Sequence, residues 1–348
     1  MQRYYTRACN FYYGEQSRSL IKQKKTLPLC GNKDISFDHI ELINRKSSKK
    51  FFFRDIKNIS NKIRKKINTD LKLITSPKKF KILNLNKIPK IMGVLNVTPD
   101  SFSDGGKFNK KKLAMKQLKY LFNCGADIVD IGGESTRPGS RGISSKIEWN
   151  RIKKILKQKK NNKIISLDTR KSDIMEKGIR SGVKLINDIS GLSYDKNSIN
   201  ILKKYDIPFV IQHSLGNPET MQNNPQYKNV LLDIYDFFEK KINFCKKIGI
   251  SYKNIILDPG IGFGKNLKHN LTIMKNISIY HSLGFPILLG VSRKRFIKEL
   301  SLENDSTLRL GGTISSSIFA MMQGVQFLRV HDVNEINQSI KIFKELIK

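Results

Sequence analysis

Seven polar residues stand at or just beyond the ends of short apolar runs in this chain: Asn96, Asp168, Asn187, Asp258, Lys294, Arg329 and His331. Such a set suits a ligand that carries both N–H donors and negative charge. An ionised carboxylate accepts from two adjacent donors, while an amide or an ammonium can meet acceptors. Cationic side chains neutralise an anion, including one that forms as a bond breaks. Arg329 and His331 lie two apart in FLRVHD, so on a strand they share a face. Each residue alone also has a plainer explanation. An aspartate after a strand caps a helix or closes a turn, Asn96 can be a turn residue before Pro99, and His331 can be a capped core histidine.

The elements that must position these groups are eight apolar runs: IMGVLN (91–96), IVDIGGEST (128–136), IISLDTR (164–170), LINDIS (185–190), PFVIQH (208–213), IILDPG (255–260), ILLGVSRK (287–294) and FLRVHD (327–332). Runs of this length, bounded by Gly, Pro and polar residues, read as buried strands. The intervening sequence predicts helices over 110–124, 145–159, 173–181, 197–205, 231–247, 270–283 and 311–324, with a closing helix over 333–347. Eight strand–helix units imply an α/β fold, a parallel (β/α)8 TIM barrel, with its active site at the C-terminal ends of the strands. The polar set would converge there. Two loops on that face, 98–108 and 134–142, are longer and more polar than plain connections, as functional lids are.

Composition bounds the alternatives. No stretch of 18 or more apolar residues exists, so no transmembrane helix is expected, and the N-terminus lacks the apolar core of a secretory signal. Cys9, Cys30, Cys124 and Cys245 form no C-x-x-C pair and read as reduced thiols of a cytoplasmic protein. The net charge is +36, and residues 1–90 hold 23 Lys and Arg against 6 Asp and Glu. Charge alone reports non-specific attraction, and no helix-turn-helix, zinc-finger or RNP-like pattern accompanies it, so no specific nucleic-acid partner is expected. The chain divides into a basic, partly ordered N-terminal extension (1–86) and a catalytic barrel (87–348). Residues 1–45 suggest a strand and a short helix, and 46–82 a partly helical stretch.

In order, the motifs LNVTPDSFSDGG, GGESTRPG, LDT, NDISG, DPGIGFGK, SRK and RVHD resemble the pterin-binding barrel family, and within it the dihydropteroate synthases. The likeness covers about 88–340. The pattern YYTRACNFYYGE…LPLCG…FDHIELI is similar, more loosely, to an extension of some alphaproteobacterial members. The resemblance implies a transferase of folate biosynthesis, the class targeted by sulfonamides, that joins a 7,8-dihydropterin methyl diphosphate to 4-aminobenzoate. It implies that Asp258, Asn187, Lys294 and Asp168 read the pterin, with Phe263 against it. It places Arg329 and His331 on the diphosphate, with Asn96 contacting diphosphate and Mg2+. Phe102 and Asp104 of the first loop, and Thr136, Arg137 and Pro138 of the second, would shape the 4-aminobenzoate side. The 4-aminobenzoate carboxylate would lie near the start of the helix after SRK, and a homodimer through barrel helices is implied. GIGFGKN lacks the Ser or Thr of a P-loop. Two departures stand out: Gln212 before His213 where many members have Met, and Arg295 where some have Ser. A related pterin-dependent methyltransferase would not need the diphosphate set, and a degenerate scaffold would not keep every polar position.

Overall fold

The structure, a computed structural model, describes residues 3–98, 107–135, 140–157, 163–216, 221–222 and 224–348, with the backbone alone for 107–111. The N-terminal part comprises β1 (Tyr5–Tyr13), α1 (Gly14–Lys22), β2 (Leu27–Leu29), β3 (Asn32–Ile43), β4 (Ser48–Phe52) and α2 (Asn61–Thr75). Its sheet is antiparallel: β1 pairs with one side of β3, and β2 and β4 share the other. The stretch 46–82 is partly helical, as its sequence suggests, through α2 and a 3-10 turn at Phe53–Asn58, but it opens with a strand at 48–52. Pairing decides it, because Lys49 and Lys50 stay exposed on an edge while Phe51 packs against the small core of Phe37, Ile40 and Ile67.

The barrel strands are β5 (Lys90–Asn96), β6 (Ile128–Gly132), β7 (Ile164–Asp168), β8 (Leu185–Asp188), β9 (Phe209–Gln212), β10 (Ile255–Asp258), β11 (Leu288–Leu289) and β12 (Phe327–Val330). All eight are parallel and follow one another around the sheet. A bridge from Leu257 to Ile287 joins β10 to the start of β11 and closes the ring. The helices are α3 (Lys107–Asn123), α4 (Ser145–Leu156), α5 (Ser172–Arg180), α6 (Ser198–Lys204), α7 (Val230–Lys247), α8 (Leu267–Lys275), α9 (Arg295–Ser301), α10 (Leu310–Met322) and α11 (Val333–Leu346). Caps start them where the sequence provides an oxygen: Ser144 accepts from Ile147 N before α4, and Asn229 from Leu232 N before α7. The single helix expected over 270–283 is instead α8 followed, after a break at Asn276, by a 3-10 run Ile277–Leu283.

The barrel interior changes character between layers. At its base Met92, Ile128, Leu185, Val210, Ile256, Leu288 and Phe327 fill the space, and Phe80 from the segment preceding β5 plugs it from below. The Phe80 and Phe327 rings meet edge to face at 5.4 Å. Two residues further along six of the strands the same inward face carries Asp130, Ser166, Asn187, Gln212, Asp258 and Arg329, while β5 and β11 offer Val94 and Gly290 there. The base is therefore apolar and the next layer mostly polar, so the polar groups stand on a buried apolar floor.

The N-terminal sheet docks on α7 and on the 3-10 run. Tyr5 donates to Asp236 at 2.8 Å, and Arg45 spans Asp233 and Asp236 at 2.7 Å each. Cys30 Sγ lies 3.3 Å from His281 Nδ1 in a fully buried contact. Gly14 touches the last helix so closely that a Cβ would sit 1.3 Å from the Ile347 carbonyl oxygen. Its φ of +53° also favours glycine.

Candidate active site

Arg329, on β12, organises the mouth of the barrel. Its Nε donates to Asp130 Oδ2 at 2.7 Å and its Nη2 to Asp168 Oδ2 at 2.8 Å. Asn187 Nδ2 donates to the same Asp130 oxygen at 2.9 Å. One carboxylate thus fixes an arginine from one strand and an amide from another. Fork-shaped, charge-assisted bonds of this kind set orientation tightly. Asp130 was not singled out from the sequence. It lies mid-strand, two residues before Gly132, so the alternation that places Ile128 inside would have placed it inside as well.

Several atoms in this layer have no hydrogen-bond partner among the described residues: Asp130 Oδ1, Asp168 Oδ1, Asn187 Oδ1, Ser166 Oγ and Gln212 Nε2. Buried polar groups are nearly always paired, so a cluster of unpaired ones at a barrel mouth marks a place that a polar ligand completes. Asp258 ends β10, and its Oδ1 accepts from Gly260 N at 2.7 Å. Gly260 is needed at that turn, since a Cβ there would lie 2.0 Å from the His213 carbonyl oxygen.

Lys294 precedes α9, and its ammonium sits over the Phe263 ring, 4.1 Å from the centroid. His331 continues the inward face of β12, and its Nδ1 lies 3.0 Å from Ser292 Oγ. Asn96 stands at the end of β5, and Gly132 beside it leaves room for both Asn96 and Asp168. The side chains of Asn96, Phe263, Lys294, Arg329 and His331 share the wall of one cavity of about 440 Å3 with Thr98 and Ser135, the roots of the two long loops. Asp168, Asn187 and Asp258 lie beneath it, in the buried layer. Phe102, Asp104, Thr136, Arg137 and Pro138 lie outside the described residues. Arg295 stands at the rim of the same cavity: its side chain is 71% exposed and it pairs with Glu299 at 2.7 Å.

Burial shapes the charges. It pushes the Asp258 carboxyl up to about 6, against the Gly260 N–H and the charges of Lys294 and Arg329. Burial, reinforced by Asp130, pushes Asp168 up as well, against the pull of Arg329. Lys294 is driven down to about 8 by burial and by Arg329. Lys265, also missed in the sequence, is buried behind the Phe263 turn. It donates to His213 Nδ1 at 3.0 Å and to the carbonyls of Phe263 at 2.9 Å and His213 at 3.3 Å. Burial brings its ammonium down to about 7. Behind the second loop a buried ion cluster holds the chain: Lys171 lies 2.6 Å from Glu148 and 3.1 Å from Glu134, which also pairs with Arg170 at 3.2 Å.

Comparison with known proteins agrees with this geometry. The sequence profile of the Pterin binding enzyme family matches residues 92–331. A dihydropteroate synthase of Clostridium beijerinckii is 41% identical over 77% of this chain and 98% of its own length. The Yersinia pestis dihydropteroate synthase, solved with a sulfonamide drug complex, superposes with a TM-score of 0.71 at 37% identity, over 76% of this chain and 96% of that one. The Xanthomonas albilineans enzyme, solved with 4-aminobenzoic acid, gives a TM-score of 0.70 at 32% identity, over 76% and 94%. The closed parallel barrel, the polar layer above its apolar floor and these matches lead to one assignment: the chain belongs to the pterin-binding enzyme family, among its dihydropteroate synthases.

Proposed function

We propose a division of labour at the barrel mouth for the dihydropteroate synthase reaction. In that reaction the chain joins a 7,8-dihydropterin bearing a methyl diphosphate to 4-aminobenzoate, releasing diphosphate and forming 7,8-dihydropteroate. Asp258, ionised, accepts from the adjacent 2-amino and N3–H groups of the pterin. Asn187 reads the ring from β8, and Lys294 donates to its carbonyl or N5 side. Asp168 faces the ring nitrogens and stabilises the positive charge that grows there as diphosphate leaves. Arg329 and His331 hold the departing anion. The C–O bond breaks with its electron pair on diphosphate, the aniline nitrogen forms the C–N bond, and that nitrogen gives up one proton. The single observation that carries this reading is the cluster of buried, unpartnered polar atoms on the inward faces of four neighbouring strands, β6 to β9, beside Asp258.

A magnesium ion fits the residues present only in company with substrate. Among the described residues no group of three or more His, Cys, Asp or Glu is placed to hold a metal. The Asn96 amide oxygen lines the cavity, and one hard oxygen donor suits a cation brought in on diphosphate with most of its waters retained. Bound there, the ion supplies charge neutralisation to the leaving group.

Two features beyond the site extend the proposal. The groove between α10 and α11, lined by Ile314, Ile318, Ile342, Phe343 and Leu346, leaves Ile342 62% and Leu346 80% exposed, which supports a homodimer through this face. No helix among the described residues is long and apolar enough to cross a membrane, and the four cysteines are unpaired, which supports a cytoplasmic enzyme. The experiment that tests the site follows diphosphate release with Mg2+, with and without 4-aminobenzoate. Release coupled to dihydropteroate, and lost in Asp258→Ala, is expected. Turnover that survives Asp258→Ala overturns the pterin assignment.

A further inference from the structure

Gln212 ends β9 in register with Asp258 of β10. Two residues below them, Val210 and Ile256 fill the barrel base, so the strand alternation turns Gln212 and Asp258 onto the same inward floor. On the other side of β9 runs β8, whose Asn187 is in register with Val210, two residues before Gln212 on the same inward face. Gln212 thus lies level with Asp258, on the strand between those that carry the two groups assigned to the edge of the pterin, and this inference rests on that assignment.

The amide is 3% exposed, yet its Nε2 has no hydrogen-bond partner among the described residues. Acceptors are present in the same layer and are also unpaired: Asn187 Oδ1, Asp168 Oδ1 and Asp130 Oδ1. The donor and these acceptors do not satisfy one another across the floor. A ligand presenting acceptors beside donors would satisfy both. Gln212 cannot be explained as packing alone, because an apolar side chain of similar length would fill the position without burying an unpaired amide. Its stem lies close beside Gly260, where an added Cβ would stand 3.3 Å from Gln212 Cγ.

We propose that Gln212 is a specificity-determining residue whose amide donates to a pterin acceptor flanking the donor pair read by Asp258, the ring N1 or the 4-oxo group. The ligand class is a 2-amino-4-oxo fused pyrimidine. A site built to donate to such an acceptor discriminates strongly against analogues lacking it, because the amide is then left buried and unpaired. The same amide destabilises the unliganded protein, so binding and stability pull in opposite directions at this one residue.

The test compares the full-length protein with Gln212→Met and Asp258→Ala, using binding of 6-hydroxymethyl-7,8-dihydropterin by calorimetry, steady-state kinetics and thermal melting. Gln212→Met is expected to weaken pterin binding and raise the pterin diphosphate KM about 5- to 20-fold, the loss of one good hydrogen bond. The 4-aminobenzoate KM should stay within about 2-fold, and the unliganded Tm should rise. A merely structural glutamine would lower Tm and leave pterin affinity alone. Unchanged pterin affinity in Gln212→Met, with Asp258→Ala still abolishing it, overturns this inference and spares the site. A wild-type protein that binds no pterin, or an Asp258→Ala variant that binds normally, overturns the site assignment and this inference together.

Discussion

Asp130 Oδ2 accepts directly from Arg329 Nε at 2.7 Å, a bond that ties β6 to β12 inside the polar layer of the barrel. The carboxylate is wholly buried and holds Asn187 as well. Asp130 thus acts on the reaction through two other residues, as a positioning group. Asp130→Asn should lower kcat/KM by about 100-fold, in line with the roughly 3 kcal/mol cost of breaking a buried charge pair. Stopped or steady-state assays would check it. A variant with full kcat/KM would mean that Arg329 is oriented without Asp130.

The pH profile should be bell-shaped. Asp258 must be ionised to accept two donors, and its carboxyl is raised to about 6, so kcat/KM for the pterin substrate should fall below pH 6. Lys294 must keep its proton to donate, and its ammonium is lowered to about 8, so the rate should fall again above pH 8. A profile flat from pH 5 to 9 would remove both residues from the binding step.

Stability carries a linked signature. The folded Asp258 carboxyl titrates at about 6, above the roughly 4 of an unfolded aspartate. The folded state therefore binds more protons between those values, and its favourable contribution, complete below about pH 4, is lost as pH rises to about 6. Asp258→Asn removes this penalty. Its Tm should exceed that of wild type at pH 7.5 and match it near pH 4, read by differential scanning fluorimetry, while pterin binding falls.

Glu134 and Lys171 give a prediction for the second loop. Lys171 is buried between Glu134 and Glu148, and burial pushes Glu148 up while Ile143 N–H and Arg170 overcome burial at Glu134 and hold it below the ordinary range. Lys171→Met removes the cation between two buried carboxylates, leaving Arg170 on Glu134 and no salt-bridge partner on Glu148 among the described residues. A Tm loss on the order of 5–10 °C is expected, from a cost of about 3–5 kcal/mol. The 4-aminobenzoate KM should rise more than the pterin KM, since Ser135 follows Glu134 directly into the cavity wall.

The strand runs, their order and most of the polar rim were legible because period and punctuation are local properties. Seven of the eight runs contain their strand and the first misses only Lys90 of β5, and Asn96, Phe263, Lys294, Arg329 and His331 line one cavity. Asp130 and Lys265 were missed for opposite reasons. Asp130 sits within an apolar run and was absorbed into it, whereas Lys265 follows a glycine-rich turn in a chain where lysine is too abundant to draw notice. The strand Ser48–Phe52 was unreadable because β3, not its own composition, makes it a strand. The 3-10 run after Asn276 packs against the N-terminal sheet, with Ser278 Oγ donating to the Ala8 carbonyl at 2.9 Å, a contact far away in the chain that local pattern does not announce.

Removal of residues 1–77 should be costly. It would strip the cover from α7 and from the 3-10 run, exposing Tyr235, Ile277 and Tyr280, and would leave His281 without Cys30. Aggregation or a Tm drop of more than about 10 °C is expected, by comparison of melting and light scattering with the full chain. Equal Tm and equal turnover would show that the barrel stands alone.

Gly14 against Ile347, and Arg18 donating to the Lys348 carbonyl at 3.4 Å, join the first helix to the end of the last across more than three hundred residues. Contacts of such sequence separation close late, because the intervening chain must be ordered before they form. During synthesis the N-terminal sheet emerges first but keeps an open apolar flank until α7, the 3-10 run and α11 have been made. Folding of this chain is therefore not a simple N-to-C accumulation of units. The first part made is among the last to be finished, and its waiting surface is the one on which chaperones or misassembly would act.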